Sequence, residues 1–195
     1  MQELEGSVAI VTGSARNIGR AIALDLAEGG AAVTVLTRTD VASVKAVAAE
    51  IESRGGRALA LQADITKPED AQRIVDETIK AFGRLDILVN NAGVRPEGPF
   101  ETMSLEAWDE VLAVVLDGAF LCCQAALPHL ERSGKGAIEN HRQDLVPGFQ
   151  AHGLERTFGP DARIVDQDVE PAERFDGFIH DALRILGLGD VRLER

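Results

Sequence analysis

The chain contains no tyrosine, one tryptophan, two methionines and two cysteines. Without a phenol, acid–base chemistry in this chain must fall to carboxylates, lysines or the four histidines. Cys122 and Cys123 are adjacent, and neighbours in sequence do not build a disulfide framework. They read as buried thiols on a helix, kept reduced. The start, MQELEGSVAIV, has no basic leader and runs directly into a strand pattern. Together these features point to the cytoplasm. Basic residues are scarce, 20 against 32 acidic, for a net charge of −12. That balance offers no footprint for a phosphate backbone, so no nucleic-acid partner is expected. No uninterrupted apolar stretch reaches the roughly 20 residues of a membrane span, so no membrane partner is expected either.

Apolar residues make up 45% of the 195, enough for a sizeable core. Strand and helix patterns alternate from the start. Ser7–Thr12 is a β-branched strand, and Asn17–Glu28 a helix with Ile18, Ile22 and Leu26 on one stripe. Ala32–Leu36, Ala58–Gln62 and Leu85–Val89 read as further strands. Val41–Arg54 and Pro68–Phe82 read as helices between them, the second with Ala71, Ile74, Val75, Ile79 and Phe82 facing inward. A long fourth helix, Ser104–Leu130, opens at a Ser104-x-x-Ala107 turn. Apolar strands separated by helices of this length imply an α/β fold, a Rossmann-type doubly wound parallel sheet. The strand order expected is 3-2-1-4.

Gly136-Ala137-Ile138 resembles the opening of a fifth strand, but the polar run Glu139–Asp144 breaks the pattern, so the sheet reads as truncated. Strand four is then expected to form an exposed apolar edge. A second regularity accounts for the break. Pairing residue n with residue 255−n, some codon for one is the reverse complement of some codon for the other. Trp108 (TGG) meets Pro147 (CCA), Met103 (ATG) meets His152 (CAT), and Lys80 (AAA) meets Phe175 (TTT). The match runs unbroken from Phe120/Lys135 out to Ala60/Arg195 and fails at Leu121/Gly134. Residues 135–195 thus read as the opposite-strand translation of 60–120, produced by an inverted repeat in the gene. Complementation exchanges most apolar for polar residues but preserves helical periodicity. The tail is therefore expected to be irregular with one amphipathic helix, Glu173–Leu186, and not an evolved domain. His141, His152 and His180 follow as complements of valine or methionine codons, and their spacing holds no metal site. Asp161–Asp168 reads as a solvated acidic loop.

The chemistry concentrates in the first two-thirds. Thr12-Gly13-Ser14-Ala15-Arg16-Asn17-Ile18-Gly19 lies between the first strand and first helix, where a dinucleotide fold places its phosphate loop. Glycine lets the backbone turn tightly and approach a pyrophosphate held at the helix N-terminus. TGSARNIGRAIA, then QADIT at 62–66, then LDILVNNAG at 85–93, resembles the short-chain dehydrogenase/reductase family over about residues 4–138. Its nearest look is to 3-oxoacyl-carrier-protein reductase-like members.

That resemblance implies a division at 134: an NADP(H)-binding half of the family's domain in 1–134, and a non-homologous tail in 135–195. It places Gly13, Asn17 and Gly19 at the family's three loop-glycine positions, with Ser14, Arg16 and Ile18 between them. Asn17 departs from glycine, but asparagine visits left-handed backbone more readily than other side chains. Asp64 and Ile65 match the adenine contacts, and Asn90, Asn91, Ala92 and Gly93 the motif closing over the cofactor. The strand-two end, Thr37-Arg38-Thr39, has no carboxylate before Asp40. Arg38 and Arg16 can clamp a 2′-phosphate, so NADP(H) is favoured over NAD(H).

The family's catalytic tyrosine has no counterpart here, its serine and lysine positions would fall in the tail, and its helix-four asparagine aligns with Val115. No catalytic residue can therefore be assigned. The resemblance implies an oxidoreductase by descent, whose intact relatives act on a small carbonyl or alcohol, with this chain itself inactive. The alternatives are a non-catalytic nucleotide-binding remnant, or a fragment that self-associates or joins full-length relatives through helix four. Sequencing the gene tests the inverted repeat. Codons 60–120 and 135–195 should be reverse complements at all three positions, with CCA for Pro147 and CAT for His152; independent third positions would refute it.

Overall fold

The computed structural model describes residues 3–94, 100–134, 136–140 and 164–165. Along the chain run β1 (Val8–Val11), α1 (Asn17–Glu28), β2 (Ala32–Thr37), α2 (Val41–Ser53), β3 (Arg57–Gln62), α3 (Pro68–Phe82) and β4 (Ile87–Asn90). A short 3₁₀ turn at Phe100–Thr102 leads into α4 (Leu105–Leu112). A π-helical stretch, Ala113–Asp117, joins α4 to α5 (Gly118–Ser133). Then come β5 (Ala137–Asn140) and β6 (Ile164–Val165). All neighbouring strands are parallel, in the order β3-β2-β1-β4-β5-β6.

Strand alternation divides the core into two layers. Ala9, Val11, Val33, Val35, Ile87 and Val89 face α1 and α2, meeting Ile22, Leu26, Val44, Val47 and Ile51. Ile10, Leu36, Leu88 and Ile138 face the other way, onto Ala71, Ile74 and Val75 of α3 and Cys122, Ala126 and Leu130 of α5. Both faces of the sheet are therefore covered, as parallel strands require.

Several local readings are corrected. Ile18 does not join the buried stripe of α1; it is 41% exposed, because the stripe begins with Ile22 once the helix has left the loop. On α3 Ile79 packs inward as expected but is only partly buried, and Thr78 lies deeper beside it. Thr78 Oγ1 donates to the Ile74 carbonyl (2.7 Å) and pairs with Thr34 Oγ1 at 2.8 Å, so a buried hydroxyl pair pins α3 to β2. Helix four does open where Ser104 Oγ accepts from the Ala107 amide (3.2 Å), but the π-helical stretch interrupts it.

Strand four is not an edge. β5 pairs with it from Ile87↔Ala137 to Asn90↔Asn140, and Glu139 is tolerated because a ladder uses main-chain groups while only Ile138 must be buried. β6, within the stretch read as an acidic loop, extends that ladder at Ile138↔Ile164. The amphipathic helix expected at Glu173–Leu186 lies outside the described residues. Leu105–Ser133 is, by length and composition alone, long and apolar enough to cross a membrane. Part of that apolarity is used here: Val111, Val114, Cys122, Ala126 and Leu130 are buried.

Asp86, just before β4, is wholly buried and holds three strands together. Its Oδ2 accepts from the Val8 amide (2.9 Å) and from Arg84 Nε (2.8 Å), and its Oδ1 accepts from Arg84 Nη2 (2.5 Å). Its own amide donates to Val8 O and its carbonyl accepts from Ala137, both at 2.9 Å. Asp86→Ala strands the Val8 amide and is expected to cost about 2–4 kcal/mol in urea unfolding. Arg84→Met leaves that buried carboxylate without its counter-charge and should cost about as much. A neutral outcome for either variant would refute this assignment.

Candidate functional site

The loop from Thr12 to Gly19 bends twice through left-handed backbone, at Gly13 (φ +65°) and Asn17 (φ +50°). Among the described residues Asn17 is the one non-glycine with positive φ. Between these bends Arg16 is extended (φ −158°, ψ 173°) and leads into α1 without a side-chain cap. The first turn of α1 also lacks an acidic residue. Its N-terminal amides are therefore left for another acceptor, and the helix dipole favours an anion there. Arg16, Asn17 and Ile18 are exposed around this end, whereas Gly19 is buried beneath it.

A hydrogen-bonded clasp holds the loop against the end of β4. Thr12 Oγ1 accepts from the amides of Asn91 (3.0 Å) and Ala92 (2.9 Å). Asn91 Nδ2 donates back to the carbonyls of Thr12 (2.8 Å) and Gly13 (3.2 Å). The clasp leaves no room for side chains on the loop glycines. A Cβ on Gly19 would lie 2.3 Å from Asn91 Nδ2 and 2.6 Å from Gly13 O, and one on Gly13 would lie 2.8 Å from Ala92 Cα. Ser14 braces the other side: its hydroxyl donates to Val11 O and accepts from the Leu36 amide, both at 2.8 Å. Sequence reasoning does not single out Thr12 for this role; its signal is a hydroxyl directly before the first loop glycine, where β1 ends.

The remaining candidates lie at the ends of β2 and β3. Gln62 Nε2 donates to the Arg38 carbonyl (3.1 Å) and the Ala63 amide to Thr37 O (3.0 Å), so the two loops run side by side. Asp64 Oδ1 accepts from the Thr66 amide (3.1 Å) and hydroxyl (2.8 Å). The Asp64 amide donates to Asp70 Oδ2 at 2.7 Å; that bond, then Arg73, holds the Asp70 carboxyl below the usual range. Ile65 is buried and packs on Gly118, where a Cβ would come within 2.8 Å of it.

Asp40, the nearest carboxylate to the β2 end, caps α2. Its Oδ1 accepts from the Ser43 amide (3.1 Å) and its Oδ2 from the Ser43 hydroxyl (2.6 Å). Those bonds, hydroxyl first, hold it below the usual carboxylate range, with a smaller contribution from the charge of Arg16.

The structure thus brings Gly13, Ser14, Gly19, Asn91 and Ala92 into one packed unit, with Gly93 exposed beyond it. Asn90 is buried and its Nδ2 donates to Cys123 Sγ at 3.3 Å. Burial pushes the Cys122 thiol up to about 12 and raises that of Cys123, so neither is a ready nucleophile. Val115 lies within the π-helical stretch. Among the described residues no group of acidic, histidine or cysteine side chains is placed to hold a metal ion.

A sequence model of the family described as short chain dehydrogenase matches residues 7–140. Among curated proteins, an uncharacterised oxidoreductase of Methylorubrum extorquens is 42% identical over 134 residues, 69% of this chain and 54% of that protein. The 3-oxoacyl-[acyl-carrier-protein] reductase of Staphylococcus epidermidis is 39% identical over 132 residues, 68% of this chain and 54% of that one. A short chain dehydrogenase from Burkholderia cenocepacia, solved in complex with NADP, superposes with a TM-score of 0.66 at 41% identity. The superposition covers 70% of this chain and 55% of that one. The chain therefore spans about half the length of the curated relatives it matches.

Two substitutions test the clasp. Thr12→Val removes the acceptor of two amides and should cost about 2 kcal/mol in urea unfolding. Gly19→Ala should cost more, because its new methyl meets backbone and the Asn91 amide with no free space. A neutral Gly19→Ala would show that the loop is not held as described.

Proposed function

Because this chain belongs to the short-chain dehydrogenase/reductase family, we propose that it holds NADP(H) at the loop between β1 and α1 and does not itself turn over substrate. The observation that carries the reading is the uncapped N-terminus of α1, presented by a loop whose turns at Gly13 and Asn17 are locked to Asn91. The cofactor would supply a hydride donor or acceptor to a small carbonyl or secondary alcohol in an intact relative. In this chain the α1 amides take the pyrophosphate, with Gly13, Ser14, Asn17, Ile18 and Gly19 shaping the approach. Asp64, Ile65, Asn91, Ala92 and Gly93 border the adenosine side and the sheet end.

Two features favour NADP(H) over NAD(H). An NAD-selective site offers a carboxylate to the ribose 2′-hydroxyl, but both Asp40 oxygens are engaged by Ser43. Arg16 and Arg38 are exposed and cationic, as a 2′-phosphate requires. Catalytic inactivity rests on the sequence. With no tyrosine and with valine at position 115, this chain lacks a positioned group to exchange a proton with the reacting oxygen. The inverted repeat is our account of why the residues after 134 do not supply one. A reducing, cytoplasmic setting accords with two free thiols, one buried and one half-buried.

A second reading, association with full-length relatives or with another copy, is favoured by the outer face of α4 and α5. Leu105, Leu116 and Phe120 are 69%, 49% and 61% exposed there.

Calorimetric titration of the purified chain with NADPH and NADH tests the first reading. NADPH should bind about tenfold or more tightly than NADH, the worth of one charge-assisted hydrogen bond. With a 3-oxoacyl thioester and NADPH no turnover above background is expected. Tighter NADH binding would overturn the cofactor assignment, and turnover would overturn inactivity.

A further inference from the structure

Both arginines near the proposed 2′-phosphate position have a carboxylate of this chain in their neighbourhood, and the two carboxylates differ in how they are held. Asp40, which feels the charge of Arg16, is tied by two bonds to Ser43. Glu110, on α4, reaches across to Arg38, with Oε1 3.8 Å from Nη2. Its side chain is 62% exposed and that of Arg38 46%, so the pair is weak and both partners can swing away. The Arg38 main chain is better held, because its carbonyl accepts from Gln62 Nε2. A phosphate at Arg38 therefore meets a cation whose base is fixed and whose tip is already engaged by a mobile anion.

We propose that Glu110 is a specificity-tuning residue: an internal carboxylate that occupies Arg38 in the free protein and must be displaced by the 2′-phosphate of the cofactor. The inference rests on the NADP(H) reading of the site. Glu110 acts by direct competition for the guanidinium, a contact that Asp109 does not make. That competition does not touch a nucleotide lacking the 2′-phosphate, so Glu110 sets the discrimination between the two nucleotides rather than the affinity for nucleotide as such.

The probes are 2′-phospho-ADP-ribose and ADP-ribose, titrated into the full chain, and the variants are Glu110→Gln and Asp109→Asn. Asp109 is also exposed on α4 and removes the same charge one residue away, pointing elsewhere around the helix. Glu110→Gln should raise affinity for 2′-phospho-ADP-ribose about threefold to fivefold and leave ADP-ribose unchanged. Asp109→Asn should do neither. The gain should shrink at about 0.5 M salt and vanish when Arg38→Ala is added. An unphosphorylated preference in the wild type that Glu110→Gln converts into a 2′-phosphate preference would also support the role of Glu110. A wild-type 2′-phosphate preference with no gain in Glu110→Gln, or an equal gain in Asp109→Asn, overturns this inference alone. No 2′-phosphate preference in either protein overturns it together with the NADP(H) reading.

Discussion

The site depends on one hydrogen-bonded junction, that between Thr12 and Asn91. A doubly wound sheet reverses its winding where β1 and β4 lie side by side, and the chain leaves both strands there at the same end. Each departing chain exposes main-chain donors and acceptors that the ladder no longer serves. Thr12 and Asn91 satisfy them reciprocally, one hydroxyl taking two amides and one carboxamide covering two carbonyls. The same contact sets the height of the glycine loop and so the direction of α1. Gly13 and Gly19 are glycines because the clasp draws backbone to backbone with no room for a Cβ.

The opposite end of the sheet is tied by Asp86, which binds β1 through Val8 and, through its own carbonyl, β5. These two residues mark the limits of a reading made from periodicity. Hydrophobic alternation places β1, β2 and β4 and the inward face of α3 to within a residue or two, because burial on both sheet faces imposes it. The left-handed backbone at Asn17 is legible for the same kind of reason, a local steric one. A long-range polar contact carries no period. Nothing in LDILVNN says that its aspartate is buried against Arg84, and nothing in SVAIVTGS says that its last threonine closes on Asn91. The same holds for Asp40: its distance from the β2 end is readable, but not that Ser43 has already taken both its oxygens.

Ile18 and the long helix fail for a related reason. The stripe assigned to α1 assumes that the helix is buried from its first residue, whereas in that first turn Gly19 is buried and Ile18 is turned outward. The pattern over Leu105–Ser133 is apolar on more than one face, so its period is weak and the π-helical stretch leaves no mark in it. The stretch ends at Gly118, where the absence of a side chain lets Ile65 pack against the helix. A change in the winding of Ala113–Asp117 would thus reach the loop that carries Asp64 through a single contact. Wide hydrogen-bond spacing of this kind is found where a helix has a local task; here it joins an exposed apolar face to the loop between β3 and α3.

β5 shows how little a parallel edge demands of the strand that fills it. Its residues, Ala137 to Asn140, pass from two apolar to two polar side chains and run straight into a polar stretch, against the expectation of a buried strand. They pair with β4 nonetheless, because each non-proline residue brings one donor and one acceptor whatever its side chain. The core then asks for a single large apolar group, and Ile138 meets it against Leu130 and Leu88. Gly136 permits the approach, lying so close to Leu130 that a Cβ would overlap it at 2.6 Å. A strand slot is therefore a weaker filter than a catalytic site. Four residues of almost any composition can complete the ladder, whereas a catalytic site needs particular groups at particular places. That difference in stringency is why Ala137–Asn140 can complete the sheet without bearing on whether the chain carries the groups for a reaction.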